Sequence, residues 1–263
     1  QIPSLKKLTS TIHLSKSLIL AQLFHGGLRC PQKLTGVVPL SASKLSCDES
    51  ETGYSREATK EEIDEIIKDF TLAAVRCSES GFDGIELHGA HGYLISQFLG
   101  TKTNLQEDSW GGDLEGRSSF LVRIIESIKK NVPKSFIVGV RLSPEIESIG
   151  INLNDSINLV GQLKKMELDF IHLSCWDSFS ISKSFPDDAR TLTEIITESH
   201  SDLPAIISTG GIWSSLDAQK LLKQGADLVG VARAAIAYPD WANSISNKNY
   251  DPKRPPFRAK HLE

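Results

Sequence analysis

Short, continuous apolar runs alternate with segments of helical periodicity along almost the whole chain. Strands that crossover helices bury on both faces have such Val, Ile and Leu runs, so the pattern predicts a parallel sheet in an α/β fold. The predicted strands are Ser17–Leu23, Gly84–His88, Phe136–Leu142, Asp169–Ser174, Pro204–Ser208 and Asp227–Val231. The predicted helices are one that starts at a Thr59/Glu62 capping box and ends at Gly81, then Glu115–Asn131, Asn154–Met166 with Asn154 as its cap, Arg190–His200 and Ser215–Gly225.

The number of βα units limits the architecture. Six units are compatible with an open doubly wound sheet, or with six of the eight units of a (β/α)8 TIM barrel. The length of 263 residues is close to the roughly 250 that one barrel needs. A dinucleotide-binding sheet would have a G-x-G-x-x-G turn after its first strand, and the sequence has none there. Because no Pro/Gly-rich linker interrupts the pattern, residues 1–263 are predicted to form a single barrel domain.

Charge and cysteine content narrow the classes of partner. A net charge of −4 gives no reason to expect nucleic acid or an anionic membrane. No apolar run reaches the roughly 18 residues of a membrane helix. The cysteines are too scattered for a zinc or iron–sulfur pair and, with no visible signal peptide, indicate a reducing, cytoplasmic location: they are Cys30, Cys47, Cys77 and Cys175.

Polar residues stand at the predicted carboxyl ends of strands, where parallel barrels carry their functional groups. Gln22 lies near the end of the first run, among apolar residues. Its amide can donate and accept at once, which suits the pyrimidine edge of a flavin, and a core glutamine bonded to backbone is the alternative. Arg141 is a charge in a buried strand and needs an anionic partner. That partner is either the N1–C2=O region of a flavin, which gains negative charge on reduction, or a strand carboxylate such as Glu86.

A pair of histidines and a tyrosine follow the second strand. His88 and His91 can both donate to one carbonyl oxygen and stabilise the charge that develops there. The Tyr93 phenol can supply a proton to carbon. A metal bound by the two histidines is the alternative, and it lacks an obvious third ligand.

Two glycine-containing loops follow the last two predicted strands. Gly210 and Gly211 let backbone N–H groups approach a phosphate closely, and loops after the final strands are the usual phosphate site of barrels. Ala232 and Arg233 come directly after the last strand, and the arginine would add a charge-assisted fork. Ordinary turns beside a surface arginine are the alternative for either loop alone.

The most specific string in the sequence is GFDGIELHGAHGYLISQFL at Gly81–Leu99, which continues as DSWGGDLEGR at Asp108–Arg117. Together with Ala21–Leu23 and Thr59–Ile63, it resembles the old yellow enzyme family of FMN-dependent NAD(P)H oxidoreductases. The resemblance runs from about Ile2 to Trp241. It implies a TIM barrel that takes a hydride from NAD(P)H through FMN and reduces an activated, enone-type alkene.

The resemblance also implies a role for each candidate residue. The cofactor set would contact the isoalloxazine ring from two strands and the FMN phosphate from two loops: Gln22, Arg141, Gly210, Gly211, Ala232 and Arg233. The catalytic set would hold the electron-withdrawing carbonyl or nitro group of a small-molecule substrate with two imidazoles and protonate it from a phenol: His88, His91 and Tyr93.

Several features depart from the family pattern. Its barrel begins with two βα units that are not in this chain, which opens at Gln1 and has Met166 as its only methionine. We therefore expect either a preceding segment that supplies these units or a chain that is stabilised in another way, for instance by a partner chain. His25–Arg29 contains one residue more than usual, Gly116 replaces an Asn, and Trp110 replaces a Tyr. The alternative function is therefore a truncated, non-catalytic or weakly flavin-binding relative. Assembly into a homo-oligomer is compatible with the sequence.

Overall fold

In the computed structural model, which describes residues 1–256, the chain forms two compact units. The first, Gln1–Ile171, contains α1 (Ile2–His13), β1 (Leu20–Leu23), α2 (Gln32–Thr35), β2 (Leu40–Ser41), β3 (Arg56–Glu57), α3 (Lys60–Glu79), β4 (Gly84–Gly89), α4 (Leu94–Leu99), α5 (Leu114–Asn131), β5 (Ile137–Leu142) and α6 (Leu153–Leu163). The boundary lies within β6 (Phe170–Ser174). The second, from His172, contains α7 (Leu192–Ser199), β7 (Ala205–Thr209), α8 (Ser215–Lys223), β8 (Leu228–Gly230), α9 (Arg233–Ala237) and α10 (Trp241–Ser244). A single domain over residues 1–263 stays a prediction.

The first unit is built on parallel strands, as predicted. β1 pairs with β4, and β4 pairs with β5. Gln22 stands opposite Glu86, and His88 stands opposite Arg141. Because alternate side chains project from the same face of a strand, these polar groups share one face of the sheet. Ile85 projects from the other face and is fully buried.

Helices α3 and α5 pack against each other, and α3 also contacts β1 and β4. Their apolar residues recur at helical spacing, and Ile63, Phe70, Phe120 and Ile124 are buried. Burying one such large side chain stabilises the fold by about 1.5–3 kcal/mol, so this layer is a main source of the unit's stability.

Side-chain caps set the helix starts. Thr59 and Glu62 form the predicted capping box. The start of α6 was predicted wrongly: Asn152, not Asn154, is its cap, because the extended Asn152 accepts a hydrogen bond from the Asp155 N–H at 2.9 Å. Helix α7 begins at Leu192 rather than Arg190, because Thr191 forms a capping box with Glu194.

The second unit pairs β7 with β8 in parallel, so the loops that follow these two strands leave the same edge of a sheet. The unit also contains an apolar cluster that includes Trp213, Leu221, Ala234 and Trp241. The Trp241 indole Nε1–H donates to the Trp213 carbonyl oxygen at 2.8 Å. This bond ties the segment after β8 to the segment after β7.

The long loop predicted over Phe24–Thr59 contains short regular elements, of which β2 and β3 form a parallel pair. Within residues 1–256, no three His, Cys, Asp or Glu side chains are grouped so that they could hold a metal ion. Over the same range, no helix has both the length and the hydrophobicity needed to cross a membrane.

Candidate active site

Three aromatic side chains meet at the carboxyl end of β4. The His88 ring centroid lies 4.9 Å from that of His91 and 4.9 Å from that of Tyr93, with the rings edge to face in both pairs. The structure therefore brings together the three residues predicted as the catalytic set. His88 lies on the sheet face that also carries Gln22 and Arg141, and His91 and Tyr93 follow in the loop after β4.

A backbone hydrogen bond determines which nitrogen of His88 carries a hydrogen. The Ala90 N–H donates to His88 Nδ1 at 3.2 Å, so Nδ1 is the acceptor. In a neutral imidazole the other nitrogen, Nε2, then carries the hydrogen and donates. The His88 side chain is buried, so this tautomer places an N–H donor at Nε2 within the site.

Arg29 holds the loop that carries His91 and Tyr93, a role that the sequence did not predict. His91 has a left-handed backbone with a φ of 60°. The Arg29 guanidinium donates from Nη1 to the His91 carbonyl oxygen at 2.8 Å and lies 4.9 Å over the Tyr93 ring. The only sequence signal was a cation in the glycine-containing segment after β1. The phenol thus has a fixed cation above its ring.

Gln97 joins two loops of the site and was also missed. This fully buried side chain donates from Nε2 to the Gly92 carbonyl oxygen at 2.7 Å, and its Oε1 accepts from the Leu28 N–H at 3.1 Å. The signal available in the sequence was a glutamine in the largely apolar helix α4. One buried amide therefore connects the loop after β1 to the loop after β4.

Gln22 and Arg141 are both influenced by Glu86. The exposed Gln22 amide donates from Nε2 to Glu86 Oε1, so its hydrogen bond goes to a side chain rather than to backbone. Burial lowers the pKa of Arg141 from its usual value, and the negative charge of Glu86 opposes that change. The carboxylate proposed as an alternative partner of Arg141 is therefore present, and it does not exclude a contact between the arginine and a flavin.

The predicted phosphate residues lie in the second unit. A side chain at Gly210 would approach the Cys175 carbonyl oxygen to 2.5 Å, and Gly211 has a left-handed φ of 74°. Only glycine meets both requirements easily, and the result is a small backbone cradle. Arg233 begins α9 directly after Ala232, and its guanidinium lies 5.6 Å from the ring of the exposed Trp176.

The amino terminus of α8 contributes less to this cradle than its position suggests. Asp217 accepts hydrogen bonds from the N–H groups of Trp213 and Ser214 at 3.0 and 2.9 Å. Those two donors are already satisfied by a carboxylate. A phosphate would therefore depend on the backbone at Gly210 and Gly211 and on the guanidinium of Arg233.

Comparison with known proteins identifies the family. The model of the NADH:flavin oxidoreductase / NADH oxidase family matches residues 1–251. A probable NADH-dependent flavin oxidoreductase of Bacillus subtilis is 37% identical over 251 residues, which are 93% of this chain and 67% of that protein. An NADH:acrylate oxidoreductase of Vibrio harveyi is 35% identical over 257 residues, 94% of this chain and 26% of that protein. The chain thus spans about two thirds of the first relative and about a quarter of the second.

A solved structure agrees with the sequence relatives. An old yellow enzyme homologue from Zymomonas mobilis superposes with a TM-score of 0.82 at 26% identity, covering 96% of this chain and 73% of that one. The chain belongs to the NADH:flavin oxidoreductase / NADH oxidase family. The predicted resemblance to the old yellow enzyme family and the predicted α/β-barrel fold class are confirmed. The predicted cofactors, FMN and NAD(P)H, are confirmed as those of the family.

Proposed function

We propose that this chain is the flavin- and substrate-binding part of an FMN-dependent oxidoreductase that reduces activated alkenes with hydride from NAD(P)H. The observation that carries the proposal is the cluster of His88, His91 and Tyr93, with ring centroids 4.9 Å apart in two pairs. The Vibrio relative is named for acrylate, whose C=C bond is conjugated to a carboxylate, and this supports the substrate class.

The residues present fit FMN on their own chemistry. Gln22 offers an amide and Arg141 a half-buried cation on one sheet face, which suits a ring that has N–H and carbonyl groups and gains negative charge on reduction. In the second unit, the Gly210–Gly211 cradle and Arg233 offer the close backbone approach and the cation that a phosphate needs.

Bound FMN would supply the hydride chemistry, accepting a hydride from NAD(P)H and passing it to the β-carbon of the alkene. The side chains would prepare the substrate. His88 would donate from Nε2 to the substrate's carbonyl oxygen, where negative charge develops, and His91 would add a second donor. Tyr93 would supply the proton to the neighbouring carbon.

The first test is the visible absorption spectrum of the purified chain, with any released cofactor identified by mass. We expect a flavin spectrum and close to one FMN per chain. Anaerobic addition of NADH or NADPH should bleach the spectrum, and an enone or acrylate should restore it. A chain that is colourless after FMN has been added and unbound FMN removed would refute the proposal in favour of the weakly flavin-binding relative.

Replacement of His88 tests the substrate site. His88→Leu should weaken the binding of a phenol or enone by about 10- to 100-fold, because a hydrogen bond to a charged or charge-accumulating oxygen contributes about 1.5–3 kcal/mol. The measurement is a titration followed in the flavin spectrum. His88→Asn, which keeps an N–H donor, should lose less, and unchanged affinity in both variants would remove His88 from the substrate site.

A further inference from the structure

Glu86 is the one carboxylate of β4, and it touches the side chain of Gln22 on the neighbouring strand. A carboxylate has acceptors only, so the amide must turn its nitrogen toward Glu86. Gln22 Nε2 is indeed the donor in this bond. The amide oxygen, Oε1, is consequently the acceptor that Gln22 can offer to a ligand.

The same carboxylate acts on Arg141. The two side chains project from one face of the first-unit sheet, on adjacent strands. Burial lowers the pKa of Arg141, and the attraction of Glu86 works against that change. An arginine keeps its charge near neutral pH even so, which means that Glu86 offsets a cation that is present on this face.

The surroundings of Glu86 reduce the screening of its charge by water. Directly opposite it on β5 is Gly139, and the Phe170 ring fills the space that a side chain at Gly139 would need. Glu86 is itself half-buried. A half-buried charge is less screened by water than an exposed one, so its effect on neighbouring charges is larger.

We propose that Glu86 is a positioning residue of the flavin-ring site, which orients the Gln22 amide and lowers the reduction potential of bound FMN by offsetting Arg141. The inference rests on the proposed function. A ring N–H would meet the amide oxygen of Gln22. Reduction adds negative charge to the ring, which Arg141 favours and Glu86 disfavours, so the carboxylate holds the potential below the value that Arg141 alone would set.

The experiment is the variant Glu86→Gln in the full chain loaded with FMN. Removal of the negative charge should raise the ratio of reduced-FMN to oxidised-FMN affinity about tenfold, which is a shift of about +30 mV for a two-electron couple. The reduction potential is measured by equilibration with a reference dye. The control Glu79→Gln makes the same charge change at the exposed end of α3 and should leave the potential unchanged.

A second readout tests the orientation of Gln22. A glutamine at position 86 can donate as well as accept, so it no longer forces one orientation of the amide. Glu86→Gln should therefore weaken the binding of oxidised FMN, measured by flavin fluorescence. In a chain that already carries Gln22→Leu, Glu86→Gln should not weaken the binding of oxidised FMN further. It should still raise the reduction potential of the bound FMN.

The outcomes separate the inference from the proposed function. Wild-type potential and affinity in Glu86→Gln would overturn the role of Glu86 while the flavin function stands. A wild-type chain that takes up no FMN would overturn both. If Glu86→Gln does not fold, Glu86→Asp replaces it: this variant keeps the charge and should keep the wild-type potential, and a tenfold change in the affinity ratio would contradict the inference.

Discussion

Tyr93→Phe is expected to slow reduction of the alkene by about 10²- to 10⁴-fold, the usual contribution of a positioned proton donor. Reduction of the flavin by NAD(P)H should be largely unaffected, because it requires no proton from the phenol. The variant keeps the aromatic ring, so its contacts with His88 and with Phe24, at centroid distances of 4.9 and 5.4 Å, are retained. Stopped-flow measurement of the two half-reactions separates the effects.

The matched control is Tyr54→Phe, which makes the same chemical change at an exposed tyrosine that lies over Lys44. It should leave both half-reactions unchanged. Equal losses in the two half-reactions of Tyr93→Phe would refute the role of the phenol as proton donor. They would indicate instead that the hydroxyl is needed to shape the site.

Arg233→Ala is expected to weaken FMN binding by about 10- to 100-fold, because a charge-assisted hydrogen bond to phosphate contributes about 1.5–3 kcal/mol. Riboflavin lacks the phosphate, and its affinity should not change. The comparison of FMN with riboflavin, by titration of the flavin-free chain, therefore reports on the phosphate contact alone.

Two further variants sharpen this result. Arg233→Lys keeps the charge but loses the fork, and we expect an intermediate affinity for FMN. Arg254→Ala removes another exposed arginine of the second unit, one whose guanidinium contacts Asp217 at 3.2 Å, and FMN affinity should be retained. Full retention of FMN in Arg233→Ala would show that Arg233 does not bind the phosphate.

The strands could be predicted from sequence because burial on both faces leaves continuous apolar runs, and Ile137–Leu142 and Phe170–Ser174 were each found within one residue of their predicted starts. Helix starts were harder where polar residues compete. At α6, Asn152 and Asn154 are both good caps, and only the backbone shows that Asn152 is the extended residue. The pair β2 and β3 was missed because two-residue strands have no periodicity.

The sequence allowed prediction of those candidate-site residues that lie at the ends of strands. His88 and Arg141 were identified because burying a polar or charged side chain in a strand costs free energy unless the side chain has a partner. Contacts across long sequence separations could not be predicted. The bond from Arg29 to the His91 carbonyl spans 62 positions, and no local pattern encodes it. The roles of these residues toward a ligand stay predictions.

Gln97 has a consequence for attempts to transplant substrate preference between relatives. Its amide bonds to the Gly92 carbonyl and the Leu28 N–H, so the loops after β1 and β4 share one buried anchor. Both partners in the loops are backbone groups, so a chimera that exchanged one loop for a loop with a different backbone path would break this anchor and leave a buried amide unsatisfied, at a cost of about 1–3 kcal/mol. The transferable module is therefore both loops together with α4.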